Sequence, residues 1–346
     1  MQMSKHFSFK SLRAVTGAAC VLLWAGAATA ACNTNYTVTD SDTLFAVAER
    51  EYGNAQGWTL IYYANQGKLN GTSLVPGSSI YIPCTAGQTE ADPTPLLDDS
   101  ADLKFLTGYD YAPFTDKDLP GGGMITEIVN AAMELAPSPV TYSVTWRDNW
   151  GKHLDPWLKE KEFDMGFPWY QADCQDQPDD FSCANFLFSD SLITVPMMLF
   201  VKADAAFPFA SDADIIGKRI CRPDGFLTHD LDRKDRRWLT NGDVIIVRAE
   251  TPEACMQKVI DGEVDAASVN LFLGANVIVD MGLREAIMPL EHPLSEEGMY
   301  AVVSKTHWRA TGHLYRINAG LAALKADGRY QEIVARHLEG FWAQLR

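Results

Sequence analysis

Gly262-Glu-Val-Asp265-Ala-Ala-Ser-Val-Asn270 decides how the region around it folds. It follows a helix. Thr251 supplies the cap, Pro252 takes the first helical position, Glu253 follows, and Gly262 ends the run. Upstream, Lys218-Arg-Ile-Cys221 and Val244-Ile-Ile-Val247 are short apolar runs of the kind that form buried strands. Leu103 to Leu106 reads as another short strand. Ile125, Ile128, Val129, Ala132, Met133 and Leu135 recur at helical spacing until Pro137, and Val140 to Trp146 alternates as a strand. Strands alternating with helices from Asp102 onward imply an α/β fold with mostly parallel sheets.

The chain has 346 residues, room for two or three domains. Lys5, Lys10 and Arg13 form a positive start, Ala14 to Ala28 an apolar core, and Ala28-Thr29-Ala30 a small-x-small cleavage site. Residues 1–30 therefore read as a cleavable signal peptide, which implies a periplasmic location. Thr29-Ala-Ala-Cys32 also reads as a poor lipobox, with Thr29 where Leu is usual. No later segment approaches the ~18 uninterrupted apolar residues of a membrane span. The leader carries three basic residues and no acids, so its loss takes the net charge from −16 to −19. That balance argues against nucleic acid and anionic membrane as partners, and permits a cationic ligand without requiring one.

Cys32, Cys84, Cys174, Cys183, Cys221 and Cys255 remain after cleavage. An even count in an exported chain points to disulfides. Sequence order pairs Cys32 with Cys84, Cys174 with Cys183 and Cys221 with Cys255. A metal site is the weaker reading, because there is no C-x-x-C and no paired histidine spacing. No metal or cofactor is expected.

Residues 36–83 form a small βααβ unit. Tyr36-Thr-Val-Thr39 alternates like a strand, Leu44 to Tyr52 and Trp58 to Gln66 read as helices, and Ile80-Tyr-Ile-Pro83 closes as a strand after the Pro76-Gly77 turn. Ser41-Asp-Thr-Leu44, Tyr52-Gly53, Trp58, Ala64-Asn65 and Leu74-Val-Pro-Gly77 complete a pattern that resembles a LysM domain, here spanning 32–84. Ser41 departs from it, because Gly is usual there. The resemblance implies binding of N-acetylglucosamine polymers such as peptidoglycan. It places the groove at Ser41, Asp42, Thr43 and Leu44 on one loop and Asn70 and Leu74 on the other. The same residues also read as caps and packing. Residues 85–101, with Gly87, Pro93, Pro95 and little apolar content, read as a linker that lets the two modules move independently.

Tyr111-Ala-Pro-Phe114, Asp164, Phe188-Ser189-Asp190, Ile216-Gly217-Lys218, Gly225, Gly262 with Asp265-Ala266, Asn318 with Leu321, and Ala326-Asp-Gly328 follow in order over residues 102–346. Together they resemble a family 3 extracellular solute-binding protein. The resemblance implies a two-lobed clamshell of the periplasmic-binding-protein type II, closing on a ligand. Lobe 1 would be 102–200 and 303–346, and lobe 2 would be 201–302. The crossings would fall near Leu199 to Ala203 and Met299 to Ser304.

In that family an Arg ahead of the Phe-Ser motif forks onto an α-carboxylate, and an acid ending the Gly262 string takes the α-ammonium. Here no Arg stands between Arg147 and Arg219, and position 270 is Asn. The expected ligand is therefore not a standard α-amino acid. Arg147, beside Trp146, is the candidate replacement for the missing guanidinium. The implied wall is aromatic: Tyr111, Phe114, Trp146, Trp169, Tyr170 and Phe226, with Thr228 and Asn270 as polar members. Such a wall suits a flat, apolar or cationic ligand, or a sugar ring. Core packing is the competing reading for the aromatics, and a local cap for Asn270.

No catalytic constellation stands out, and Gly121-Gly-Gly123 lacks the spacing and preceding strand of a dinucleotide site. His229 and His313 read as surface residues. The expected function is a solute-binding protein held to peptidoglycan, serving an ABC importer or a sensor. A ligand-free accessory or scaffold protein for a periplasmic or cell-wall enzyme, and an enzyme on the clamshell scaffold, are the alternatives.

Overall fold

A computed structural model describes residues 33–69, 71–84 and 101–345. The expected signal peptide, Cys32, Asn70 and the linker stretch 85–100 lie outside the described residues.

The N-terminal unit runs β1 (Thr34–Thr37), α1 (Leu44–Tyr52), α2 (Trp58–Asn65) and β2 (Ser79–Ile82), with β1 and β2 antiparallel and Asn35 opposite Tyr81. Thr43 caps α1 by accepting the Ala46 amide, and Gly53, at φ 65, ends it in the left-handed region that glycine tolerates best. Buried Asn65 donates to the carbonyls of Ile61 and Tyr81 and accepts the Tyr81 amide, which pins β2 to α2. Trp58, Thr59, Leu60, Ile61, Tyr62 and Tyr63 of α2 are all buried. A helix buried around its whole circumference needs cover on every side. α1 and β2 supply part of it. The rest comes from the C-terminal domain, so the expectation of independently moving modules is corrected.

That domain is built on one mixed sheet. Its strands are β3 (Leu103–Thr107), β4 (Tyr142–Trp146), β5 (Met165–Tyr170), β6 (Phe186–Phe188), β7 (Ile193–Lys202), β8 (Arg219–Pro223), β9 (Ile245–Ala249), β10 (Ala266–Asn270), β11 (Ile287–Pro289) and β12 (Ser295–Ser304). The order is β4-β3-β5-β12-β7-β10-β8-β9, with β11 on β7 and β6 on β12. One parallel set, β4-β3-β5, forms lobe 1, and a second, β10-β8-β9, forms lobe 2. The long strands β7 and β12 pair antiparallel between them, from Ile193 opposite Met299 to Met197 opposite Ser295. The crossing thus falls earlier than the Leu199–Ala203 and Met299–Ser304 expectation. By those positions β7 already pairs with β10 and β11, and β12 with β5 and β6.

Helices α3 (Met124–Leu135), α4 (Pro252–Ile260), α5 (Leu271–Asp280), α6 (Ala310–Asp327) and α7 (Arg329–Gln344) cover the sheet. α3 lies so close to α6 that a Cβ at Gly320 would sit 1.9 Å from the Ala132 carbonyl oxygen. Thr251 caps α4 as the sequence implies. The Cys221–Cys255 disulfide (Cα–Cα 5.4 Å) ties α4 to β8, and Cys174–Cys183 (Cα–Cα 5.3 Å) closes the loop after β5. Cys84 is disulfide-bonded too, and its expected partner Cys32 lies outside the described residues. Among the described residues no helix is long and apolar enough to cross a membrane.

α7 joins the two domains. Trp342 Nε1 donates to Thr59 Oγ1 of α2 at 3.1 Å, and the Trp342 and Phe341 rings pack on Phe272 of α5 in lobe 2.

Candidate functional site

The lobes meet through Asp176 of lobe 1, paired with Lys234 (2.6 Å) and Arg237 (2.9 Å) of lobe 2, through Asn276 Nδ2 donating to the Ala112 carbonyl at 3.3 Å, and through a cluster of three polar side chains. Tyr111 lies in the turn after β3, which is tied by reciprocal bonds between the Tyr111 and Thr115 backbones. Tyr170 ends β5, and Asn270 ends β10 and caps α5. The Asn270 Oδ1 accepts the Leu273 amide at 3.0 Å. That bond settles the orientation of the amide, so Nδ2 faces the phenols. It donates to Tyr111 Oη at 3.3 Å and to Tyr170 Oη at 3.2 Å, and the two hydroxyls are 3.3 Å apart. Asn270 is 2% exposed.

This triangle is neutral. Burial pushes the Tyr111 phenol up to about 12, against the lowering effect of its bonds to Tyr170 and Asn270. Burial also pushes Tyr170 well above the ordinary tyrosine value, with Tyr111 adding to the rise. The amide uses one hydrogen on each phenol oxygen, and one phenol donates to the other. One phenolic proton stays uncommitted in this triangle, a donor for a third group.

Apolar packing extends the lobe contact. Phe114, 0% exposed, sits between Tyr111 (5.1 Å between ring centres) and Phe272 of lobe 2 (5.2 Å). It is core between the lobes, so its expected place on a ligand wall is corrected. On the other side of Tyr111 the rings continue through Trp150 at 6.0 Å to Trp169, a further 5.7 Å on. Trp169 is half-buried, and its Nε1 has no hydrogen-bond partner among the described residues. Trp146 is half-buried beside Gly122.

Arg147 does not join them. It is exposed, pairs with Glu162 at 3.4 Å and lies over the rings of Trp157 and Phe163. Its expected role as carboxylate partner is corrected: its planar cation is committed to an outer ring stack. Phe226 and Thr228 lie half-buried in the lobe 2 loop after β8, where Phe226 packs against the core.

The sequence reasoning missed Arg222. It is 1% exposed and bridges Asp230, Ser268 Oγ at 2.7 Å and the Leu227 carbonyl at 2.6 Å. Burial opposes ionisation of Asp230, but Arg222 holds its carboxyl below the usual range. This guanidinium is spent inside lobe 2. A charge within the apolar run Ile220-Cys-Arg-Pro223 was the signal available. His229 is also not a surface residue: its Nε2 lies 3.0 Å from Glu297 of β12, and that carboxylate outweighs burial to raise its pKa.

The residues expected to bind glycan are largely used by the fold. Asp42 accepts from Tyr36 Oη at 2.5 Å and from the Thr39 amide at 2.7 Å, and pairs with Arg50. Burial opposes its ionisation, but these bonds bring its pKa down to about 2. Thr43 is a cap and Leu44, 2% exposed, is core, so their assignment to a groove is corrected. Ser41 is exposed, Leu74 is half-buried, and Asn70 lies outside the described residues.

Asp164, His307 and His313 bring their donor atoms within 4.8 Å of one another. His307 Nδ1 accepts the Arg309 amide, so its proton sits on Nε2, which donates to Asp164 at 2.8 Å. The tautomer that a metal on Nε2 requires is thus opposed by a backbone donor. The group is a structural hydrogen-bond unit. His313, 2% exposed, is core rather than surface.

No family model matches the chain, and no curated protein matches it. Solved structures do. A histidine kinase sensor domain with similarity to periplasmic binding proteins is 20% identical, with a TM-score of 0.51 over 69% of this chain and 97% of that one. A periplasmic domain of Bordetella pertussis BvgS is 16% identical (TM-score 0.49, 70% of this chain and 93% of that one). An ancestral amino acid-binding protein, a precursor of cyclohexadienyl dehydratase, is 19% identical (TM-score 0.47, 67% of this chain and 92% of that one). The fold is that of a two-lobed periplasmic-binding-protein type II domain.

Burial brings the His313 imidazole down to about 4 from 6.5, with Asp164 opposing and His307, Arg316 and Arg309 adding. The unfolded chain takes up this proton before the folded one does. The stability gained is complete above pH 6.5 and is lost as pH falls from there towards 4. Replacing His313 with Asn should remove part of the acid sensitivity. Unfolding free energies from urea titrations at about pH 7 and about pH 4.5 should differ less in H313N than in the parent, by roughly 2 kcal/mol. Equal differences in the two proteins would refute the assignment.

Proposed function

We propose that the chain is an exported solute-binding protein whose ligand acts by holding the two lobes together at Tyr111, Tyr170 and Asn270. The carrying observation is the hydrogen-bonded triangle that joins the lobes, with Trp150 and Trp169 beside it. A solute that bonds to both lobes there shifts their equilibrium by its preference for the closed form.

The ligand is not a standard α-amino acid. The position of the family's acid is a neutral amide whose oxygen caps α5, Arg147 lies in an outer stack, and Arg222 is bound to Asp230. An α-carboxylate and α-ammonium would find neither charge partner, a loss of roughly 1.5–3 kcal/mol per charged hydrogen bond. Neutral donors and aromatic faces suit a sugar-like or flat polar molecule. The same neutrality supports binding over catalysis, because general acid–base chemistry needs a group that titrates near working pH. The N-terminal unit retains the protein on peptidoglycan through exposed Ser41 and the neighbouring loop, and an importer or sensor reads the closed form.

A second reading, an accessory protein that takes no small ligand, is favoured by one observation: the lobes bond directly through their own side chains.

Thermal shift separates these. A solute at a hundredfold excess over its Kd should add about 2.7 kcal/mol. None of the twenty amino acids should shift the midpoint, and a sugar or flat polar metabolite should. A dose-dependent shift with a standard amino acid would overturn the ligand class, and silence across the whole library would favour the accessory role. The tether is read by pelleting with purified peptidoglycan. The full chain should pellet and S41W should pellet less, whereas failure of the parent to pellet would sink this part.

A further inference from the structure

We propose that the N-terminal unit is a brace on the clamshell hinge: its helix α2 holds β7 and β12 in the closed arrangement, and releasing it opens the lobes. The proposal rests on the reading of the C-terminal domain as a closing clamshell.

β7 and β12 pair only between Ile193–Met197 and Ser295–Met299 where the chain passes from lobe to lobe. Any change of lobe angle must twist this short stretch.

α2 touches both hinge strands at this place. Tyr63 Oη donates to the Thr194 carbonyl of β7 at 2.9 Å. Tyr62 lies beside Glu296 of β12, and burial together with that carboxylate pushes its phenol up. The loop after α2 closes on the same residue: a Cβ at Gly71 would come 3.7 Å from Glu296 Oε1. Glu297, the next residue, is held through His229 of lobe 2. Neighbouring strand residues point to opposite faces, so β12 is gripped by the N-terminal unit through one side chain and by lobe 2 through the next.

The brace has a fixed point. Thr59 lies one turn before Tyr63 on the same face of α2. It accepts the buried indole N–H of Trp342 in α7. Lobe 1 therefore anchors one end of this helical face and the hinge the other. Trp342 also packs on Phe272, two residues after Asn270, so the anchor and the lobe contact share one side chain. A flexibly tethered wall-binding module needs none of these bonds. Their arrangement makes the N-terminal unit a regulator of the lobe angle.

The test uses the full exported chain with nitroxides on A322C in α6 of lobe 1 and E253C in α4 of lobe 2, both exposed positions. The four cysteines of the lobes are already paired, so labels go to the new thiols. Inter-lobe distances are measured by pulsed spin resonance in the parent, in Y63F with T59V, and in N270A. The brace predicts that Y63F with T59V shifts the distribution to longer distances, as N270A does. If N270A opens the lobes and Y63F with T59V matches the parent, the brace is overturned and the clamshell stands. If neither variant moves, α2 does not hold the lobes and the brace is overturned; adding D176N, which removes the Asp176 pairs to Lys234 and Arg237, then separates a clamshell closed by those pairs from lobes that do not open at all. Should the double variant unfold, Y63F alone carries the test, since it removes one hydroxyl and no packing.

Discussion

The Asn270 amide serves two structures at once, the start of a helix and a contact between the lobes. Asn270 closes β10, and its oxygen satisfies an amide that the first turn of α5 would otherwise leave unpaired. With its oxygen so used, its nitrogen faces lobe 1 and meets the two phenols. The cap and the lobe contact are thus one event: a side chain fixed by the helix it starts cannot swing away from its partners at no cost. Phe272, two residues on, carries the apolar part of the same junction onto Phe114, Phe341 and Trp342. From Trp342 the contact continues to Thr59, so one path of packed and bonded groups links lobe 2, lobe 1 and the N-terminal unit.

Much of this was legible in the sequence, for local reasons. Thr251-Pro252 and Gly262 bound a helix because capping and breaking are properties of a few neighbouring residues, and α4 lies where they place it. The Cys174–Cys183 and Cys221–Cys255 pairs follow sequence order because each closes a unit that folds next to itself. That position 270 is Asn, where the resembled family carries an acid, was equally plain.

The rest depends on groups far apart in the chain. Asn270 reads as a deleted acid, and its second role needs Tyr111 and Tyr170, more than a hundred and a hundred residues away. Arg147 stands next to Trp146 in sequence, yet the guanidinium turns to Trp157, Phe163 and Glu162. Phe114 was placed on a wall because it belongs to the Tyr111-Ala-Pro-Phe114 motif, whereas its ring is covered from the other lobe. One clue was present and misjudged. Trp58-Thr-Leu-Ile-Tyr-Tyr63 is apolar on every face, and a helix of that kind in so small a unit demands a partner.

The most direct test of the account is a double-mutant cycle on the lobe contact: unfolding free energies of the parent, N270A, Y170F and the double variant. Loss of the α5 cap is common to both N270A backgrounds and cancels, which isolates the bond across the lobes. The account predicts a coupling of about 0.5–3 kcal/mol between the two positions. Additivity to within about 0.3 kcal/mol would mean that Asn270 only caps its helix, and would contradict the account at its base.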